Sequence, residues 1–129
     1  MEIRQMSERA KSALTNWNRL WNGDPSVAEE LLSKDFTCYF GADAQAEETD
    51  AIVGPEAFVG FVASFREARP GLTFTDAGHL YADDHAVSLW NAVAGESGPI
   101  GGVDVLQLDA TGKVHRVYSV TGSRKLSTS

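Results

Sequence analysis

The sequence predicts an α+β domain, with helices gathered in the first half of the chain and a mostly antiparallel sheet in the second. Three observations lead there. An apolar stripe at helical spacing opens the chain, and a second one, Phe58, Phe61, Val62 and Phe65, lies in its middle. From residue 72 onward, four stretches of alternating pattern are separated by turn residues. With 129 residues the chain can build one real core but not two. Residues 1–122 therefore read as a single domain, and the polar segment 123–129 as a frayed tail.

The first helix carries Ile3, Met6, Ala10, Ala13, Leu14, Trp17, Leu20 and Trp21 on one stripe. The run WNGDPS ends it, since Asn22 and Gly23 form a stop, Asp24 a candidate N-cap and Pro25 a first-turn residue. A short second helix over residues 26–32 follows, then a strand, DFTCYF, closed by Gly41. Residues 41–53 carry Asp43, Glu47, Glu48 and Asp50 with no clear period and read as a solvated surface loop. A third helix begins at Pro55 and stops before Pro70 and Gly71. The strands LTFTDAGHLYA, HAVSLWNAVAG, GGVDVLQLDA and KVHRVYSVTG complete the chain, with turns at Asp83 and Asp84, at residues 95–99, and at Thr111 and Gly112. Three apolar helical stripes must bury themselves on one sheet face, and a sheet curved over helices leaves a cleft, the usual place for a ligand.

Composition narrows the partners. The formal net charge of −7 leaves no basic stripe for nucleic acid. No segment approaches the roughly 18 apolar residues that span a bilayer, and the polar start MEIRQMSERAKS has no signal-peptide character. Cys38 stands alone, which excludes an intrachain disulfide. The three histidines are too scattered to form a metal site. A cytoplasmic protein with no metal and no cofactor is the expectation.

The most informative residue is Asp104. Alternation puts Gly102, Asp104, Leu106 and Leu108 on one face of their strand, and Val103, Val105 and Gln107 on the other. A carboxylate among valines and leucines loses hydration, which raises its pKa. Its plain explanation is a structural hydrogen bond to a helix-one amide or hydroxyl, or a pairing with an arginine.

Taken in order, WNGD, LLSKDFTCYF, IVGPEAFVGFV and VDVLQLDATGKV resemble the nuclear transport factor 2-like superfamily, in its SnoaL-like and ketosteroid isomerase-like branches. The likeness runs from about Leu14 to Gly122. It implies a cone-shaped barrel, a strongly curved sheet wrapped over about three helices, around a deep apolar pocket for a small organic ligand. It also implies a homodimer through the outer sheet face, here carrying Trp90, Val103, Val105 and Tyr118. Chemistry varies across the family, from isomerases, cyclases, hydrolases and dehydratases to members without catalysis, so only the pocket residues bear on a reaction.

By this resemblance Asp104 occupies the position of the protonated carboxylic acid that binds an oxyanion in ketosteroid isomerases. The family's base position holds Phe40, and the helix-one region LTNWN has no tyrosine. The Arg-x-Asp pair of epoxide hydrolases is Leu89, Trp90, Asn91 here, and the last-strand acid is Ser119. The resemblance turns Val87, Leu89, Asn91 and Val93 inward, offering Asn91 as a partner for Asp104 or a ligand, with Trp90 outside beside Ser88 and Ala92. A register slipped by one residue would instead put Trp90 on the pocket floor. His115, on one face with Val117, Ser119 and Thr121, is a candidate base near Asp104, or else a solvated hairpin histidine. The expected ligand-binding set is Trp17, Phe40, Phe58, Phe61, Leu89, Asn91, Gly102, Asp104, Val117 and Ser119. If the protein is an enzyme, the resemblance implies cofactor-independent acid–base work on a carbonyl compound (isomerisation, cyclisation or dehydration). The alternative is a non-catalytic ligand-binding or dimeric assembly module of the same fold.

Overall fold

The structure, a computed structural model, describes residues 2–41, 43–94 and 100–126. Four helices and five strands follow in the order α1 (Glu2–Trp21), α2 (Ala28–Leu31), β1 (Leu32–Phe40), α3 (Asp43–Asp50), α4 (Pro55–Glu67), β2 (Thr73–Tyr81), β3 (His85–Val93), β4 (Ile100–Leu108) and β5 (Val114–Gly122). The strands make one sheet in the order β1-β5-β4-β3-β2. All pairs are antiparallel except β1 with β5, which makes the sheet mixed. It is open, with β1 and β2 at its edges.

The stripe of α1 is buried from Ala10 through Trp21, as its spacing requires. The side chains of Ile3 and Met6, and the turn expected at 95–99, lie outside the described residues. At the end of α1, Asp24 accepts a hydrogen bond from the Ser26 amide and caps a short 3₁₀ turn that begins at Pro25. Asn22 has a longer reach. Its amide pairs with both backbone groups of Phe74, accepting from N at 2.9 Å and donating to O at 3.3 Å. The Arg66 guanidinium donates to the carbonyls of Trp21 and Leu72. Together they tie the end of α1 to the sheet edge at β2.

The core is aromatic. Trp17 stacks on Phe58, with ring centroids 5.3 Å apart, and Phe36 meets Phe58 edge-on at 5.0 Å. Phe58, Leu106, Val114 and Val117 are fully enclosed between the helices and the concave sheet face.

Three expectations are corrected here. Residues 43–50 of the expected surface loop form helix α3. It has almost no amphipathic pattern to reveal it, but Thr49 is buried against β1, and its carbonyl accepts from the Cys38 thiol at 3.4 Å. Burial, with the charge of Asp50 adding to it, pushes that thiol up to about 11, so Cys38 packs as a small neutral group. Next, the second helix stops at Leu31, and Leu32 already belongs to β1. Finally, the tail is docked at least as far as Leu126, whose backbone N–H and C=O both pair with the Asn91 side chain.

Candidate functional site

A cavity of about 420 Å³ opens between α1, the end of α4, and all five strands. Its walls are aromatic: Trp17 and Trp21 from α1, Phe40 from the end of β1, Phe65 from α4, Phe74 from β2 and Trp90 from β3. Asp104 and Ser119 reach it from neighbouring positions on β4 and β5. Toward solvent it is edged by Asn18, Arg69, Thr75, Asp76, Ile100 and Thr121.

Register explains the polar point. Ser88, Asp104 and Ser119 stand opposite one another across β3, β4 and β5, and all three are buried on the concave face. Phe40 continues the row on β1. The Trp17 indole N–H donates to Asp104 Oδ2 at 2.9 Å, and the Ser119 hydroxyl donates to Oδ1 at 2.6 Å. Burial raises the pKa of Asp104 above the usual carboxylate range; the Ser119 and Trp17 donors, with a weaker pull from the Trp90 indole, oppose that rise without cancelling it. A hydroxyl both donates and accepts, so the Asp104–Ser119 pair can hold a proton on either oxygen, whereas the indole of Trp17 only donates. When the carboxyl is protonated toward Ser119, the serine hydrogen is released to point into the cavity. Asp104 is thus bonded to helix one, through an indole N–H and not the expected amide or hydroxyl, while it also faces the cavity.

Of the expected ligand-binding residues, Trp17, Phe40, Asp104 and Ser119 line the cavity. Phe58, Phe61 and Val117 lie in the core outside its lining. The face assignment of β3 is overturned. Ala86, Ser88, Trp90 and Ala92 point to the concave side, and Trp90 packs over Gly102 so closely that a Cβ there would lie 2.2 Å from its ring. The glycine is thus covered by tryptophan and is not free for ligand. Alternation alone does not set the phase of a strand with apolar residues on both faces; the fit of a large ring over a glycine does. Leu89 and Asn91 turn to the convex face, where Asn91 sits opposite Gly101 and spends its amide on Leu126. Asn91 is therefore no partner of Asp104, and Trp90 is removed from the outer face.

His115 is also displaced. Leu108 pairs with Val114 and Gln107 with Arg116, so His115 is the extra residue of a bulge near the hairpin end. It lies by Asp109, whose pKa is raised by partial burial but lowered overall by the donors of Thr111 and Lys113 and the His115 charge. The lining residues not anticipated are chiefly Arg69, Phe74 and Asp76, while Trp90 lies where the slipped register would put it. Pairing Trp90 with its small cross-strand neighbour Gly102 is the signal that selects this register. Among the described residues, no group of three His, Cys, Asp or Glu is placed to hold a metal, and no helix is long and apolar enough to cross a membrane.

With this geometry in view, residues 14–117 match the model of the SnoaL-like domain, and the chain belongs to the SnoaL-like family. Its α+β architecture is the nuclear transport factor 2-like cone. It resembles a candidate isomerase of the SnoaL-like family from Agrobacterium tumefaciens at 14% identity and a TM-score of 0.72, over 89% of this chain and 98% of that one. A candidate SnoaL-like polyketide cyclase from Jannaschia sp. CCS1 aligns at 16% identity and 0.74, over 90% and 87% of the two chains. A nuclear transport factor 2-like protein of unknown function from Mesorhizobium loti aligns at 19% identity and 0.74, over 90% and 93%. At such identities the likeness is one of fold. No curated protein matches the sequence.

Proposed function

We propose that this chain takes a small, largely apolar organic molecule into the concave cavity, and that Asp104 acts on a carbonyl oxygen of that molecule as a proton donor through Ser119. The reaction class is isomerisation, cyclisation or dehydration without a cofactor. The observation that carries this reading is a fully buried carboxyl group on an aromatic-walled cavity, held by Trp17 on one oxygen and sharing a 2.6 Å hydrogen bond with Ser119 on the other. In its neutral form Asp104 donates to Ser119 Oγ, and the serine O–H then meets the charge that develops on the ligand oxygen. The names carried by the structural neighbours, isomerase and polyketide cyclase, agree with carbonyl chemistry.

A second reading, binding without turnover, is favoured by Phe40, an apolar residue where the resemblance puts the base. Proton exchange separates the two. With Asp104 donating to the carbonyl through Ser119 and a solvent water taking the α-proton, the acid–base reading expects catalysed exchange of the α-protons of 1-tetralone in heavy water by NMR, lost by ~100-fold or more in Asp104→Asn. A ketone that binds to the native protein without faster exchange would establish the second reading instead.

The same reading includes a homodimer through the convex sheet face and a cytoplasmic setting. The dimer is supported by apolar side chains that stand in register across the sheet, Tyr39, Tyr118 and Leu80 exposed and Val105 and Val87 half-exposed. The cytoplasmic setting is supported only by the single reduced thiol of Cys38.

A further inference from the structure

One charge at the cavity has no countercharge among the described residues, and it bears on one end of the ligand. Three described lining residues carry ionisable acid or base groups of opposite kinds: Asp104, Asp76 and Arg69. Asp76 is occupied locally, with Oδ1 accepting from the Gly78 amide at 3.2 Å and Oδ2 meeting His79 Nδ1 at 3.1 Å. Asp104 is enclosed and partnered by Trp17 and Ser119. Arg69 forms no ion pair with a carboxylate among the described residues.

Arg69 is nevertheless held in place. It follows the end of α4, its guanidinium lies 3.7 Å from the centroid of the Phe65 ring, and Nη1 donates to the Phe65 carbonyl at 3.2 Å. Phe65 is itself a cavity wall, so the cation is fixed to the rim by the same residue that lines the interior. A guanidinium has five N–H donors in a rigid fork suited to a carboxylate, and this fork spends one on protein. On a chain of net charge −7, which repels anions at long range, a preorganised cation beside an apolar cavity is a selective local feature.

We propose that Arg69 is an anion-binding residue at the rim, and that the ligand is an apolar organic acid. Its carboxylate meets Arg69, its hydrocarbon body fills the aromatic chamber, and a carbonyl or hydroxyl oxygen reaches Ser119 and Asp104. This inference rests on the cavity being the ligand site, and it adds the charge and polarity of the ligand's outer end.

The test uses matched pairs. Binding of 4-oxo-4-phenylbutanoic acid and its methyl ester, and of the corresponding 2-naphthyl pair, is measured calorimetrically with the native protein and with Arg69→Gln and Arg69→Lys. The native protein should prefer each acid to its ester by about ten-fold or more, and the preference should shrink as salt rises. In Arg69→Gln the acid should fall to the affinity of the ester, and in Arg69→Lys part of the preference should return. Esters that bind as well as acids, or a preference that survives Arg69→Gln, would overturn the role of Arg69 and leave the cavity reading standing. No binding of any acid or ester would count against both.

Discussion

On the concave side of β4, Gly102, Asp104, Leu106 and Leu108 are buried, while on the convex side Val103, Val105 and Gln107 remain half-exposed. Both sides are mostly apolar, yet they are organised differently. The concave side is filled by its own chain: Trp90 covers Gly102, Trp17 and Ser119 hold Asp104, and the helices close over Leu106 and Leu108. The convex side presents rows of valines and tyrosines that the described residues leave open or half-open, except where Leu126 is pinned beside Gly101. One strand therefore separates a surface finished by intramolecular packing from one that is not. Substitutions on the two sides should differ in kind: stability and cavity shape on one, association on the other.

The largest effect is expected at Trp17, which is 1% exposed, stacks on Phe58 and donates to Asp104. Trp17→Ala should cost about 3–5 kcal/mol in urea unfolding, as for other buried aromatics. Trp17→Phe keeps most of the packing and removes the N–H, so it should cost about 1–3 kcal/mol, the range for orphaning a buried acceptor. No loss in Trp17→Phe would show that packing alone matters there, and equal losses in the two variants that the N–H alone does. Next comes Gly102→Ala, which forces Trp90 off the strand and should cost about 1–3 kcal/mol. It should also weaken binding of the keto acids above. Gly101→Ala, one residue away on the other face, meets the Arg124 carbonyl at 2.6 Å and should release the tail without altering the cavity. Hydrogen exchange at Leu126, set beside ligand affinity, reads the contrast.

Asp104→Asn probes the cost of the buried acid. Because burial raises the folded-state pKa, the native protein retains a proton that the unfolded chain loses above about 3.8. The unfolded state then binds fewer protons than the folded one, so this group's contribution falls as pH rises from there toward the folded pKa, and levels off above it. The asparagine has no such dependence. Asp104→Asn should therefore gain on the native protein as pH is raised, by comparison of urea midpoints from pH 4 to pH 8. A stability gap that stays constant across that range would show that Asp104 titrates alike in both states.

These contrasts also explain what was legible in the sequence. The helical stripe of α1, the Asp24 cap and the inward set Gly102, Asp104, Leu106 and Leu108 rest on local periodicity, and each appears in the structure. The phase of β3 was not local information. Both of its faces carry apolar residues, so only the partner strand decides that Trp90 lies over Gly102 and that Asn91 lies outside. Helix α3 was hidden for a similar reason: its residues are mostly acidic and polar, and it is held by a few contacts with β1, including Thr49. Arg69 gave no pattern at all, because a rim residue after a helix end is brought to the cavity only by the packing of α4.

The smallest effect on the folded chain is expected on the convex face, and there the comparison is sharpest. Val120 is 62% exposed beside the row led by Tyr39 and Tyr118, whose rings lie 6.0 Å apart. Val120→Glu removes no buried contact, so its effect on chain stability should stay within about 0.5 kcal/mol. If a second copy covers this face, the same change places a charge at the centre of an apolar contact, twice by symmetry, on chains that already repel at −7 each. Sedimentation equilibrium should then find the native protein as a dimer and Val120→Glu as a monomer. A variant that remains dimeric would move the interface elsewhere; a native protein that is monomeric at every concentration would leave the convex rows as plain exposed surface. Either result changes what the open face is for, while the concave face keeps Asp104 buried on Trp17 and Ser119.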